Sequence, residues 1–300
     1  MTTVAILIER VRRQVLAGHR PQVNVLAADA SSGATTLTMS MGLDAIAAST
    51  LLDIENEIFY VTSVNRSAGT VQVLPSMFGT SPAAHVTGTL VYVNQRFHSA
   101  DIFDTMLEEI RSWPTNVYRI GTVDLTYASG VRGYDLIGIP SDYTSVLRVL
   151  RAPEAQPSGL PNSNSWARIP FREERSLNAA DFPSGAAVFL EKEHPSLTKF
   201  RAIYNRPFNT TTWAMTTDLE ATCLVPTTLL DCLKYGCMWR LASTGETART
   251  DPSSDSDTRE DQAIPAGMNI RNAMVLKQLR DTRLNEEADR LRDMWKLPVI

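Results

Sequence analysis

Four histidines, three cysteines and several close carboxylates are the residues of this 300-residue chain whose types could do chemistry. His19, His85, His98 and His194 include no i,i+4 pair, the spacing that turns two imidazoles toward one metal ion from a single helix face. Cys223, Cys232 and Cys237 show no CxxC spacing, so neither a zinc knuckle nor a disulfide framework is expected. Cys232 and Cys237 fall in an expected helix, where a free cysteine serves as a small apolar residue. This usage suits a reducing compartment or one indifferent to redox. The stretch DPSSDSDTRED matches a calcium loop at Asp255 and Asp257 only. Glu260 stands where a glycine must turn, and Ala266 replaces the bidentate glutamate. Glu108-Glu109 and Glu286-Glu287 are adjacent in expected helices and point to different quadrants, whereas general acid–base work needs two carboxyls on one substrate.

No GxxxxGK[ST], GxGxxG after a strand, GxSxG or HExxH occurs. No catalytic, cofactor-binding or metal-ligating residue is therefore expected, and no cofactor. His85 follows Ala83-Ala84 in a turn leading to a strand. There an imidazole is expected to tie a loop down by one hydrogen bond to backbone, its ring packed on small neighbours. With 29 basic and 33 acidic side chains the formal charge is −4, which gives no basic footprint for gripping nucleic acid through its phosphates. No run of about eighteen apolar residues is present to span a membrane. MTTVAILIERVRRQ places its basic residues after the apolar ones, the reverse of a signal peptide.

The elements that must position these residues come in blocks. Val4, Leu7, Ile8, Val11 and Val15 repeat at helical spacing, so a helix is predicted over 3–17, with Arg10, Arg12 and Arg13 on its wet side. VNVLAA, TTLTMS, ENEIFYVTSV, GTVQVLP and GTLVYVN alternate like strands. Ser99 is expected to cap a second helix over 99–113, with Asp101 at its positive end and an apolar stripe from Ile102 to Trp113. Strand signals return from Tyr118 to about Thr222, with a long polar loop at 154–165. Pro226 suits the first turn of a third helix, to about Ala242. STGETARTDPSSDSDTREDQ (243–262) has almost nothing to bury. A fourth helix is predicted over 265–295, its apolar face carried by Val275, Leu279, Ala288, Leu291 and Trp295.

The predicted fold class is α+β: a helical bundle of four main helices with a small β insertion domain and a second antiparallel β region. Its parts are 1–20 and 97–116 (bundle), 21–96 (β insertion), 117–225 (antiparallel β domain) and 226–300 (bundle, with a mobile loop at 243–264 and a C-terminal tail).

Residues 57–93, EIFYVTSVNRSAGTVQVLPSMFGTSPAAHVTGTLVYV, resemble a β module of tailed-bacteriophage virion proteins. The matching positions are Glu57, Val61, Gly69, Val73, Gly79, Thr80, His85, Gly88 and Val91. Pro75-Ser76 stand where that pattern commonly has Arg-Gly. The wider order resembles the head-to-tail connector (adaptor) family beneath the portal: a first helix, a β insertion, Arg96-Phe97-His98-Ser99 opening a helix, a Tyr134-Asp135-Leu136 strand pair, and a late helix begun by proline. The resemblance implies a structural, non-enzymatic virion protein of the neck, assembled in the host cytoplasm. It would form a homo-oligomeric ring, typically of twelve copies, with the portal and the tail or neck completion proteins as partners. DNA would pass through the lumen without specific binding, and no membrane is involved. Trp295, Leu297, Pro298, Val299 and Ile300 are the expected portal-docking residues, because an apolar tail gains by burial on a partner. Two alternatives stay open: a tail-tip, baseplate or fibre component binding a receptor or glycan through loop 154–165, Trp166 and Trp213, and a hydrolase with a dispersed site. Deleting residues 296–300 is expected to abolish capture of the portal in a pull-down; capture that survives the deletion rejects docking by the tail.

Overall fold

In the computed structural model of the chain, residues 2–15, 22–113, 117–151, 167–192, 199–211, 213–247 and 268–295 are described. They form two compact units, residues 1–112 with 209–300, and residues 113–208.

The first unit opens with helix α1 (Val4–Val15), which buries Val4, Leu7, Ile8 and Val11, the stripe read from the sequence. Strands β1 (Gln22–Val25), β2 (Thr36–Thr38), β3 (Leu51–Ile54), β4 (Glu57–Asn65), β5 (Thr70–Leu74) and β6 (Leu90–Val93) follow. They pair antiparallel in the order β1-β6-β3-β4-β5-β2. The sheet rolls like a barrel, and its two edges meet beyond β1 and β2. There the Ala27 N–H donates to the Thr38 carbonyl and the Ser40 N–H to the Val25 carbonyl, both at 2.8 Å. Meeting edges leave fewer ladder groups open to chance pairing. Leu26, Leu37, Leu52, Phe59, Val71 and Val91 fill the interior. β3 had no strand signal in the sequence, because LLDI is buried almost throughout and so lacks alternation.

Helices α2 (Ser99–Arg111), α3 (Thr227–Thr247) and α4 (Met268–Trp295) complete this unit. α1 packs on α2 and α3, α2 on α3, and α4 along α3. The 243–247 part of the expected loop is the last turn of α3; 248–264 lies outside the described residues.

The second unit holds β7 (Arg119–Thr126), β8 (Gly133–Asp135), β9 (Ser145–Arg151), β10 (Ala167–Ile169), β11 (Phe171–Arg175), β12 (Ala186–Leu190) and β13 (Lys199–Arg206). Two antiparallel sheets, β10-β9-β13-β7 and β11-β12-β8, share a core around Tyr134, Leu136, Val149, Val188 and Phe200. The Tyr134 ring is edge-on to Phe200, and its hydroxyl reaches the 128–131 turn at Ala128 and Val131. A buried tyrosine of this kind adds apolar area while its polar tip stays bonded.

The expected helical bundle is overturned. Among the described residues the chain is a mixed α+β fold with thirteen strands in three antiparallel sheets, and the helices do not form a four-helix bundle that carries the rest. The physical reason lies in two helices. α4 buries a narrow seam, Ala273, Leu284 and Leu291, whereas Val275 and Leu279, expected on its apolar face, are exposed with Met274. α1, for its part, is fastened to the barrel by a charge. Arg12, expected on the wet side, is buried beside Asp53 of β3, with its Nη2 3.0 Å from Asp53 Oδ2 and 2.6 Å from Ser99 Oγ. Its guanidinium also lies over the Tyr92 ring of β6, 4.2 Å from the centroid, a stacking suited to a planar cation.

Ser99, expected to be the cap of α2, is instead its first helical residue, with His98 as the cap. The Ser99 N–H, one of the donors a helix start leaves unpaired, goes to Asp53 Oδ2 at 2.8 Å. Asp53 thus serves as the capping carboxylate from another element. Asp101 Oδ2 accepts the His98 N–H at 3.3 Å.

A second buried carboxylate joins the other helices. Glu109 of α2 accepts from Arg240 Nε of α3 at 3.0 Å and from Arg280 Nε of α4 at 2.7 Å, while its neighbour Glu108 faces solvent. Residue 236 must be glycine here, since a Cβ would lie 2.3 Å from the Glu109 carboxyl carbon.

Replacing Arg12 by methionine is expected to cost about 3–5 kcal/mol at neutral pH, because Asp53 is left buried and unpaired; urea unfolding measures it. Burial holds the Asp53 carboxyl above its ordinary value of 3.8, against the opposing pull of Arg12 and the Ser99 N–H. The native state keeps a proton that the unfolded chain has released. The Asp53 share of stability, full below 3.8, is therefore lost as pH rises through the raised value. Wild-type stability relative to Asp53→Asn is expected to decline over that interval, and a flat difference rejects the assignment.

Candidate functional site

His85 is buried, and both of its ring nitrogens are held by carboxylates. Nδ1 lies 2.8 Å from Glu55 Oε2, and Nε2 lies 2.9 Å from Glu57 Oε2. Glu55 and Asn56 form the two-residue connection between β3 and β4, with Glu55 at φ 56°. Glu57 is the first residue of β4, and the two-residue period of the strand puts it on the same inward side as Phe59 and Val61. Glu57 is 1% exposed and Glu55 sits in water at the rim. The His85 ring meets Phe59 edge-on at 5.8 Å.

The expected backbone tie by the imidazole is thus replaced by two carboxylate contacts. The backbone of His85 is held separately, by reciprocal hydrogen bonds with Ala30 at 2.8 and 2.9 Å.

Proton counting limits what this group can do. An ionised carboxylate only accepts, so each of the two contacts needs one proton between its partners. A histidine serving as general base offers one nitrogen to a carboxylate and the other to the reacting group. Here neither nitrogen faces outward, and the imidazole is a fastener.

What it fastens is the segment between β5 and β6. Glu57 Oε1 accepts from the Ser76 N–H at 3.2 Å and the Ser76 hydroxyl at 3.1 Å, and its Oε2 accepts from the Ala83 N–H at 2.9 Å. The Ile58 N–H donates to Thr80 Oγ1 at 3.2 Å, and that hydroxyl donates to the Met77 carbonyl at 2.9 Å. Further along, the Thr87 N–H donates to Asp29 Oδ1 at 2.7 Å. One buried carboxylate and a few short bonds thereby pin residues 76–87 to the barrel rim.

Within this segment Ser76 and Phe78 have φ of 57° and 53°. That is a left-handed conformation a bulky side chain adopts only when its surroundings enforce it. Phe78 is 73% exposed, and Val86, 67% exposed, and Leu90 also stand out of the surface.

Next to the clamp runs a cleft of about 510 Å³, walled by the 77–85 segment, the Glu55–Ile58 turn, the first turns of α2 and residues 213–215. Trp213, expected in the receptor-binding alternative, is half-buried in that wall with its indole N–H donating to the Asn209 carbonyl at 2.8 Å. Trp166, loop 154–165, His19 and His194 lie outside the described residues, as do Leu297, Pro298, Val299 and Ile300; Trp295 ends α4 with its side chain outside them. His98 stands at the start of α2, away from His85 in role. Among the described residues no group of three or more His, Cys, Asp or Glu side chains is arranged to hold a metal ion. The three cysteines are buried, and burial pushes the Cys232 thiol up to about 12.

Sequence reasoning singled out His85 but missed its partners. The available signal was Glu57 itself, a charge at an inward position of an otherwise apolar alternation, which a buried strand tolerates only with donors supplied. No family model matches the chain, and no curated protein matches its sequence.

His85→Ala is expected to cost about 2–3 kcal/mol in urea unfolding, because the buried Glu57 carboxylate loses its imidazole partner. Glu55→Gln, on the wet side of the same ring, is expected to cost about 1 kcal/mol or less. Equal costs for the two would show that the inner contact is not the anchor.

Proposed function

We propose that the chain is a structural assembly protein of a tailed-phage virion, a head-to-tail adaptor whose copies close into a ring on the portal and continue the DNA channel. Portal and tail or neck completion proteins are its partners, and DNA passes without specific binding. The observation that carries this proposal is the apolar display on and beside the pinned 76–87 segment, where Phe78, at a left-handed φ of 53°, and Val86 stand exposed with Leu90 of β6 next to them. A surface ordered in advance loses little entropy on docking.

The resemblance supports it further, since its matched residues work together in one device. Glu57 and His85 make the clamp, Thr80 caps the local turn, and Gly79 and Gly88 take φ of 80° and 86° where the segment bends. Closure into a ring needs two unlike patches on one subunit that complement each other. The helices no longer contribute support, because the bundle on which they were to stand is not the fold.

Coexpression with the portal of the same virus, followed by native mass measurement and electron microscopy, tests the proposal. A complex with a closed ring of about twelve copies is expected. In the double variant Phe78→Ser, Val86→Ser, capture is expected to fall at least tenfold, the scale of a buried anchor. A chain that stays monomeric and unbound beside intact portal overturns the assignment.

A further inference from the structure

The two halves of the clamp on His85 are unequal. Glu57 is buried and already accepts from the Ser76 N–H, the Ser76 hydroxyl and the Ala83 N–H. It therefore acts as an ionised acceptor, and the ring donates to it from Nε2–H. A neutral imidazole carries one proton, and Glu57 takes that one. The outer contact, Nδ1 to Glu55 Oε2 at 2.8 Å, is complete only with a second proton on the ring. Without it a lone pair faces a carboxylate, and both can only accept. Glu55 is also the partner placed to leave. Its side chain is 47% exposed against 1% for Glu57, and its left-handed φ of 56° persists only where the surroundings hold it.

We infer that Glu55 is a proton-operated gate, closed onto His85 while the imidazole carries both protons and released into solvent when Nδ1 loses its proton. The contact needs the doubly protonated ring, so it is complete at low pH and lost as pH rises through the transition of the ring. The bonds of Glu57 to Ser76 and Ala83 need no such proton, and segment 76–87 stays pinned in both states. Among the described residues, the other charged groups facing this region are Asp101 and Asp104 of α2 and Glu9 of α1, with Asp29 on the Thr87 N–H. Residues 213–216 bring no titratable side chain, and no lysine or arginine lines the cavities on either side to hold Glu55 in place of the ring. Those cavities give the gate its consequence. Glu55 and Met215 line both the 510 Å³ cleft and a second pocket of about 370 Å³ walled by Ile8, Leu90 and Tyr92. Release of Glu55 therefore opens the partition between them. His85 already lines the cleft, so its bare Nδ1 becomes an acceptor there for an incoming N–H or O–H, masked in the acid form. The gate is read from the clamp alone and is independent of the adaptor assignment.

The test is NMR of the full chain, isotope-labelled in the histidine rings and along the backbone. Titration runs from about pH 5 to about pH 10, which covers the ordinary imidazole range and the excursions of buried groups. The His85 ring is expected to pass from the two-proton pattern to the Nε2–H tautomer. In step with it, the order parameters of the Glu55 and Asn56 Cα–H bonds are expected to fall from about 0.85 to below about 0.6, while those of Ser76 and Ala83 hold. Glu55→Gln supplies the control. A side-chain amide can accept from Nδ1–H through its oxygen or donate to the bare nitrogen through its NH₂. The turn is therefore expected to stay ordered across the whole range in this variant, although the ring still titrates. Position 55 is exposed, so the fold is retained, which a thermal melt verifies. Four results each overturn the inference: a ring with one protonation pattern throughout, a ring that gives up its Nε2 proton first, a turn that stays rigid after Nδ1 is bare, or a turn that loosens equally in Glu55→Gln.

Discussion

A carboxylate taken out of water must be given donors or it unfolds its surroundings, and the first unit of this protein is put together at three such points. Asp53, Glu57 and Glu109 are each no more than 1% exposed. Each lies where separate elements meet. Asp53 gathers Arg12 of α1 and the start of α2 onto the barrel. Glu57 holds the 76–87 segment and His85. Glu109 draws in Arg240 and Arg280 from α3 and α4. Apolar burial supplies most of the driving force, yet it has no direction and tolerates sliding. The charged joints fix register, because a shift of a few ångströms would strand a charge in the interior.

What the sequence disclosed and what it withheld divide along the same line. Amphipathic helices and alternating strands leave periodic traces, so α1, α2 and most strands could be placed from residue types alone. Periodicity, however, classes every arginine as wet. Arg12 was placed on the solvent side of α1 for that reason, although its partner stands forty-one residues away in β3. β3 was missed from the opposite direction, as a strand buried on both sides shows no alternation and its Asp53 reads as loop polarity. His85 stood out by type, but its use was set by Glu55 and Glu57, thirty and twenty-eight residues earlier. Long-range pairing of charges has no period. The helical-bundle expectation failed for a related reason, since helix content gives the helices but not which layer they cover, and α4 leaves Val275 and Leu279 outside.

Losing the bundle moves the frame of the first unit from the helices to the sheet. Had the helices formed the frame, the β regions would have been appendages and their loops free to vary. With the barrel as frame, the segment between β5 and β6 becomes the part of the first unit most expensively held. It spends buried hydrogen bonds and two left-handed non-glycine residues to keep an exposed phenylalanine in one place. Strain of this kind costs of order 1–3 kcal/mol per residue, and a loop with no task would be rid of it by a glycine at position 78.

The strain and the apolar exposure are therefore two aspects of one requirement. An exposed aromatic on a mobile loop finds its partner at the cost of ordering the loop, which subtracts from affinity at the moment of contact. Transferring that cost to folding, through Glu57 and His85, would leave the proposed docking step with area to bury and little freedom to lose. The cleft runs along the same segment, and Phe78 lines it together with Thr80 and Ala83. The buried Glu57 carboxylate thus sets the position of the exposed ring and the shape of the cleft wall at once. Loosening Glu57 would release both together, whereas changing a charge at the rim would leave the segment standing.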